Sequence, residues 1–262
     1  MTRRLLILIL PGLLAALLAA GCGEDGAVTT GATTVTIPDA GTYSNNTADT
    51  ARLLQDSSAT MKRVADAGLG VHFIYTSNSF GEEQLVIAQG EGDMVFPDRV
   101  SVSSNVYLTE EPEVIDLISI GETVYIRSIE TGNVWRQDDR GVLPPNPRNV
   151  WNYIDFARSS RSLGRTTLPS GIETYQIQVD IDADLLATES MKFYSDPRII
   201  SLLQASRSNN VTATVWIGVD DLLVYKQSIS TSNPLTGTGS EQQLTYSDWG
   251  KSIDIVQPCV VC

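Results

Sequence analysis

Cysteine acylation is the chemistry that this sequence indicates most clearly. The string Leu18-Ala19-Ala20-Gly21-Cys22 places a thiol directly after small residues at the end of an apolar run. It resembles a lipobox, in which the cysteine thiol receives a diacylglyceryl group and the residue becomes the new N-terminus after cleavage. We therefore predict that Cys22 is lipidated. The alternative is an ordinary cleaved signal that is followed by an unmodified cysteine.

The segment before Cys22 has the three parts of a secretory signal peptide. A basic Arg-Arg pair precedes residues 5–18, which are uncharged and almost entirely Leu, Ile and Ala, and small residues follow. This run is shorter than the roughly 20 apolar residues of a membrane-spanning helix. We predict that residues 1–21 are removed, and that residues 22–46, rich in Gly, Thr, Ala and Ser, form a flexible tether. Lipid on Cys22 would then hold the protein on the outer, extracytoplasmic face of the cell membrane.

The other two cysteines, Cys259 and Cys262, form a Cys-x-x-Cys spacing at the end of the sequence. In an oxidising compartment the pair could form a disulfide, or the thiols could remain free. Redox motifs of this spacing sit at a helix start beside a βαβ unit, and two ligands alone cannot complete a tetrahedral zinc site. We therefore expect residues 259–262 to form a loose tail that holds no metal.

Side chains suited to catalysis or metal binding are sparse. His72 is the single histidine, and no Ser or Asp motif near it in sequence suggests a triad, so a structural role is expected. Asp180, Asp182 and Asp184 would share one face of a strand and could bind Ca²⁺, but they lack the glycine turn and final Glu of a calcium loop. A solvated strand face is the simpler interpretation. No nucleophile elbow is present, and we expect no catalytic residue, no metal site and no cofactor.

The charge balance argues against one class of partner. The sequence has 31 Asp and Glu against 18 Lys and Arg, which gives a formal net charge of −13. Phosphate backbones repel such a surface, and no basic stripe offsets the repulsion. Nucleic acid is therefore not an expected partner.

Helical periodicity begins at Thr47 or Asp49, where the side chain could cap the first turn, and it continues to about residue 67. Gly68 then ends the helix. The apolar side of this helix must be buried against another element. Two more helices are predicted at residues 149–160 and 197–205, and residues 184–191 fit either a helix or a strand.

Most of the remaining sequence is predicted to form strands separated by short turns that contain Gly, Asn or Asp. Gly121-Glu122 and Asp220-Asp221 are each flanked by two such runs, so we expect hairpins there. Strands joined in this way form antiparallel sheets, and the lack of a βαβ order argues against a two-lobed substrate-binding protein. The predicted strands cover residues 71–76, 85–89, 94–96, 100–107, 114–120, 123–128, 134–136, 174–182, 211–219, 222–230, 242–246 and 253–256.

Together the elements predict an α+β fold with a single domain at residues 47–258. A large antiparallel sheet exposes its edges unless it curves strongly. A strongly curved antiparallel sheet, or half-barrel, with helices packed on its concave face would protect the edges and bury the apolar sides of the helices. A chain of 262 residues can bury such a core without a disulfide framework.

Several turns and strand ends carry a family resemblance. They are EGDMVFPDRV at residues 91–100, IGETVYIR at 120–127, GNVW at 132–135, VWIGVD at 215–220 and YSDWGKSIDI at 246–255. With the preceding helix they resemble the LppX/LprG family of envelope lipoproteins, which share the LolA/LolB half-barrel fold. The resemblance extends from about residue 48 to residue 258.

This resemblance implies an apolar cavity between the sheet and the helices, in which family members bind acylated lipids or lipoproteins and carry them within the envelope. The partners it implies are a lipid or acylated ligand, the membrane through the lipid anchor, and an envelope transporter or acceptor protein. A non-transporting sensory or scaffolding domain with a filled interior is the alternative. The family brings no catalytic residues, so candidates for the cavity lining come from the apolar faces of the predicted elements: Leu54, Met61, Phe73, Phe96 and Ile200.

Overall fold

A computed structural model describes Tyr43 and residues 47–80, 85–107, 112–121, 123–129, 131–138, 154–191 and 197–260. The predicted signal peptide, Cys22 and Cys262 lie outside these residues. The helices of the described part are α1 (Thr47–Asp66), α2 (Ala183–Met191) and α3 (Pro197–Ser206). The strands are β1 (Gly70–Phe80), β2 (Leu85–Val95), β3 (Arg99–Val106), β4 (Glu113–Ile120), β5 (Thr123–Arg127), β6 (Arg136–Gln137), β7 (Ala157–Thr167), β8 (Glu173–Ile181), β9 (Asn210–Gly218), β10 (Val224–Ser232) and β11 (Gly239–Lys251).

All eleven strands belong to one sheet in the order β6-β5-β4-β3-β2-β1-β11-β10-β9-β8-β7. Every neighbouring pair is antiparallel, as the short turns predict. The sheet consists of two meanders, β1 to β6 and β7 to β11, which are joined by the pairing of β1 with β11. Because β6 and β7 each have one neighbour, the sheet is not closed. The helices α2 and α3 are inserted between β8 and β9.

The first helix forms where the sequence predicts it. Its apolar residues Leu53, Leu54, Met61 and Val64 are spaced so that they share one side, and all four are buried. The helix ends at Gly68, which has a φ of +64° and whose N–H donates to the Ala65 carbonyl at 3.0 Å. Glycine adopts this left-handed conformation at little cost, so the chain can turn directly into β1.

The two faces of the sheet differ sharply. Val71, Phe73 and Tyr75 of β1 are buried, whereas Ile74 between them is 52% exposed. Since side chains alternate along a strand and paired residues share a face, the strand register extends this division across the sheet. We call the side that carries Phe73 the buried face and the other side the outer face. Buried residues of α1 belong to the same apolar cluster as the buried face.

Four predictions about individual elements are wrong in whole or in part. The strand predicted at residues 134–136 is observed as β6, at Arg136–Gln137. The helix predicted at residues 149–160 is replaced at its C-terminal end by β7, a polar edge strand that pairs only with β8 and so shows no apolar alternation. The strands predicted at residues 85–89 and 94–96 are one strand, β2, which continues through Gly90 and Gly92. Residues 253–256 are not a strand, because β11 ends at Lys251.

Candidate ligand-binding interior

Four of the five predicted lining residues lie in the same buried apolar cluster. Met61 of α1 and Phe73 of β1 are fully buried, and Leu54 and Phe96 are 3% and 2% exposed. Ile200, on α3, is only partly buried. The helix periodicity and the strand alternation therefore bring the first four together.

An aromatic group that the sequence prediction missed lies beside Phe96. The Phe96 ring stacks on Trp249 with a centroid distance of 6.2 Å and an interplanar angle of 6°, and Trp249 contacts Tyr246 at 5.8 Å. The alternation of side chains along β11 places Tyr246 on the buried face, but the same alternation does not place Trp249 there. Asp248 has a φ of +55°, which interrupts that alternation and turns Trp249 towards the core. Flat apolar rings therefore border one end of the interior.

Tyr43, before α1, packs over the edge of the same interior. Its ring meets Tyr175 of β8 edge-on at 5.6 Å, and its hydroxyl donates to Asp56 Oδ2 of α1 at 2.7 Å. Burial and the hydrogen bond to Asp56 raise the pKa of Tyr43 to about 12. A second hydrogen bond holds α1 in place: the Ser57 hydroxyl donates to the Leu222 carbonyl at 2.9 Å. These two contacts fix α1 relative to the second meander.

The buried face is not apolar throughout. Its far end carries Ser77, Gln227, Thr231 and Gln242, which we call the polar patch; these residues are 0%, 3%, 6% and 3% exposed. Beside this patch, the Tyr75 hydroxyl is hydrogen-bonded to Ser104, and burial raises the pKa of Tyr75. Sequence reasoning missed the patch, although strand alternation in β1 already places Ser77 on the same side as Phe73.

The outer face carries a pocket of about 280 Å³ over β1 to β5. His72 Nδ1 lies 3.0 Å from Asp93 Oδ1, and Arg127 donates to Asp116 Oδ2 at 2.8 Å. The Arg127 guanidinium also lies 4.9 Å from the centroid of the Trp135 ring. The pocket is thus lined mainly by charged and polar side chains that pair with one another.

The order of residues in this pocket does not match a nucleophilic triad. Strand register places His72 opposite Asp93 and Asp93 opposite Ser101, so the aspartate lies between the histidine and the serine. In a triad the histidine must lie between the other two, because it takes the proton of the serine. His72 Nδ1 is therefore placed to hydrogen-bond Asp93 rather than to take a proton from Ser101.

The three alternating aspartates do not share a strand face, contrary to the premise of the calcium alternative. Asp180 is the only one in β8, and its Oδ2 accepts a hydrogen bond from Ser159 at 2.6 Å. Asp182 precedes α2, and Asp184 lies within it, paired with Arg207. Among the described residues, no group of three or more His, Cys, Asp or Glu side chains is placed to hold a metal ion.

The end of the chain runs back along the sheet. Ile255 is buried, and its carbonyl accepts a hydrogen bond from Arg99 Nη1 of β3 at 3.2 Å. Cys259 is exposed and disulfide-bonded. Its expected partner Cys262 lies outside the described residues, so that pairing stays a prediction. Within the part of the chain that the structure covers, no helix has the length and apolarity needed to cross a bilayer.

Solved structures similar to this fold include two mycobacterial lipoproteins. LprF of Mycobacterium bovis aligns with a TM-score of 0.51 and 16% identity, covering 82% of this chain and 99% of LprF. The lipoprotein LppX of Mycobacterium tuberculosis aligns with a TM-score of 0.50 and 16% identity, covering 78% of this chain and 98% of LppX. No family profile matches the chain, and a search of curated proteins finds no match.

Proposed function

The chain has the fold of LppX and LprF, and on this premise we propose that it is a lipid-anchored envelope protein that binds a lipid or an acylated ligand in its interior. The observation that carries the proposal is the fold match, which extends over almost the whole length of LppX and of LprF. In the proposed arrangement, the sheet curves strongly into a half-barrel, and the helices cover its concave, buried face. Diacylglyceryl on Cys22 holds the domain at the outer face of the cell membrane.

The contrast between the two faces of the sheet supports an interior site. The outer pocket is lined by His72, Asp93, Asp116 and Arg127, whose charged and polar groups suit water rather than an acyl chain. The buried face offers the apolar surface instead, with aliphatic and aromatic side chains from α1 and from both meanders in one cluster. Acyl chains gain most free energy where they contact such surface, at about 0.8 kcal/mol per buried CH₂ group.

Ligand entry requires α1 to separate from the sheet. Met61 and Phe73 are fully buried, so an acyl chain that reaches them must displace packed side chains. The polar contacts of α1 with the rest of the described chain include the Ser57–Leu222 and Tyr43–Asp56 hydrogen bonds, and an exposed pair between Lys62 and Asp155 at 3.2 Å. Exposed pairs contribute little to stability. Opening beside α1 is therefore the proposed route, and delivery to an envelope transporter or acceptor protein is the proposed purpose.

Substitution of Met61 by tryptophan tests whether ligand occupies this space. We expect purified Met61→Trp protein to bind the fluorescent fatty acid cis-parinaric acid at least about tenfold more weakly than the unsubstituted protein. Its melting temperature should stay close to that of the parent, because the opening beside α1 that admits a ligand also makes room for the larger ring. Val256→Trp, which adds the same ring at a position that is 61% exposed, is the control and should bind normally.

The opposite result would favour the sensory or scaffolding alternative. A densely packed interior would reject the indole at Met61, since overpacking of a filled core costs about 1–3 kcal/mol. The variant would then unfold at lower temperature, and the unsubstituted protein would not bind the probe.

A further inference from the structure

The buried face changes from apolar to polar along the strands. At one end, Val71, Phe73 and Ile217 present only carbon atoms and are fully buried. Further along β1, the buried position is occupied by Ser77, which pairs with Gln242 of β11. On β10, Gln227 and Thr231 occupy the neighbouring buried positions and complete the polar patch. On β1, β11 and β10 the buried face is therefore amphipathic, and the polar patch is as deeply buried as the apolar end. On β9 and β8, buried Ala213 and Val179 continue the apolar surface at the same level.

Polar atoms of the patch have no hydrogen-bond partner among the described residues. They are Ser77 Oγ, Gln227 Oε1, Thr231 Oγ1 and Gln242 Oε1, all without contact with solvent. In Gln227 the amide nitrogen has a partner, since Nε2 donates to the Tyr246 hydroxyl at 2.6 Å. The amide oxygen has none among the described residues. Most buried polar groups in native proteins are hydrogen-bonded, so four unpartnered atoms in one place require an explanation.

Strand register places Gln242 beside each of the other three side chains. Ser77 of β1 pairs directly with Gln242 of β11, and Gln242 pairs with Ile229 of β10. Gln227 and Thr231 lie two residues to either side of Ile229 on the same face. Directly paired side chains are about 5 Å apart and diagonal ones about 7–8 Å. The polar patch therefore spans three adjacent strands around Gln242, with the apolar Ile229 between Gln227 and Thr231.

The chemistry of the patch selects its occupant. The amide oxygens of Gln227 and Gln242 only accept hydrogen bonds, and the hydroxyls of Ser77 and Thr231 can donate or accept. Glu113 Oε1, a fifth buried atom without a partner, lies three strands away in the row of Ser77 and also offers an acceptor. An anionic headgroup has no proton to donate to these amide and carboxylate oxygens. An ammonium group would be a buried charge without a direct counter-ion in the patch, which is costly.

We propose that the polar patch is a subsite for the uncharged, hydroxyl-bearing part of a neutral amphiphile, such as the glycerol of a glycerol ester. The hydroxyl groups donate to Gln227 and Gln242, and the acyl chain extends towards Phe73. This inference rests on the proposed function and adds the ligand class. It also gives the unpartnered atoms their role, because a buried acceptor without a donor destabilises the closed interior and a hydroxyl that enters relieves this cost.

Binding of matched oleoyl probes tests the subsite. Residues 22–262 with Cys22→Ala would be loaded with cis-parinaric acid and titrated with monooleoylglycerol, methyl oleate or oleate. The first two probes are oleoyl esters that differ in the two free hydroxyls of glycerol. We expect monooleoylglycerol to compete about tenfold or more better than methyl oleate, and oleate to gain no such advantage.

A double substitution, Gln242→Leu with Thr231→Val, removes the hydrogen-bonding groups and keeps similar side-chain sizes. We expect the preference for monooleoylglycerol to fall to within about twofold, while binding of methyl oleate is retained. The melting temperature should stay equal or rise, because unpartnered buried polar atoms have been removed. Gln243→Leu with Thr245→Val, which makes the same changes on the outer face of β11, should keep the preference.

The outcomes separate the two proposals. Equal competition by the two esters, or a preference that survives in the double variant, overturns the subsite and leaves lipid binding standing. Failure of every probe to bind overturns both. A double variant that loses stability or does not fold shows that the four groups hold the fold together, and this also contradicts the subsite.

Discussion

Asp182 shows how a single carboxylate fixes the start of a helix. Its Oδ1 accepts a hydrogen bond from the Leu185 N–H at 3.0 Å, and its Oδ2 accepts one from Arg158 Nε at 3.2 Å. The bond from Leu185 and then the contact with Arg158 hold the pKa of Asp182 below its ordinary value. The sequence could not distinguish this cap from a metal ligand, because the decision depends on β8 ending at Ile181.

The cap predicts a pH-dependent effect of Asp182→Ala. Because the folded-state pKa lies below the ordinary value of 3.8, the carboxylate stabilises the fold at pH values above that, and this stabilisation is lost as the pH falls through the folded-state pKa. Thermal unfolding should therefore show a lower melting temperature for Asp182→Ala at neutral pH and a shrinking difference in acid. Asp254→Ala, at an exposed position, serves as control. A difference that is unchanged by acid would contradict the cap.

Lipidation of Cys22 remains a prediction from the sequence alone. Two acyl chains contribute about 0.8 kcal/mol per buried CH₂, which is enough for stable anchoring. Cys22→Ala should therefore move the protein from the membrane fraction to the soluble fraction in cell fractionation. If the variant sediments with membranes as the parent does, Cys22 is not the anchor.

At the scale of elements, local signals predicted most of the structure. The periodicity of α1 and the turn residues between β4 and β5 and between β9 and β10 specify their elements with little help from the rest of the chain. The strand β7 was not predicted, because its residues, Ala157 to Thr167, are mainly Arg, Ser and Thr with one Leu. Only pairing with β8 makes that segment a strand, and pairing between distant residues leaves no local pattern.

Close contact between strands explains a glycine that the sequence prediction read as a break. A Cβ atom on Gly92 of β2 would lie 2.1 Å from the Ser101 carbonyl oxygen of β3. A backbone atom cannot move aside as a flexible side chain can. We expect Gly92→Ala to lower the free energy of unfolding by about 1–3 kcal/mol in urea titrations, whereas Ser103→Ala, exposed on β3, should have little effect. An unaffected Gly92→Ala variant would show that β2 and β3 are further apart.

At the scale of the whole molecule, the apolar part of the candidate site was predictable and the polar part was not. Leu54 and Met61 on a helix and Phe73 on a strand are buried by simple periodicity, so their faces could be expected to meet. The polar patch depends on the register in which β1, β11 and β10 pair. Ser77 and Gln242 are too far apart in sequence for any local pattern to show that they are neighbours.

Native mass spectrometry of the protein, purified from its own host without detergent exchange, shows whether the interior holds a lipid or acylated ligand. We expect a mass above that of the polypeptide and its anchor, which returns to the bare value when Met61→Trp fills the interior. Control protein with Val256→Trp should keep the added mass. A protein that carries no added mass in any preparation, and that acquires none when it is incubated with host lipid extract, would contradict lipid binding in the interior.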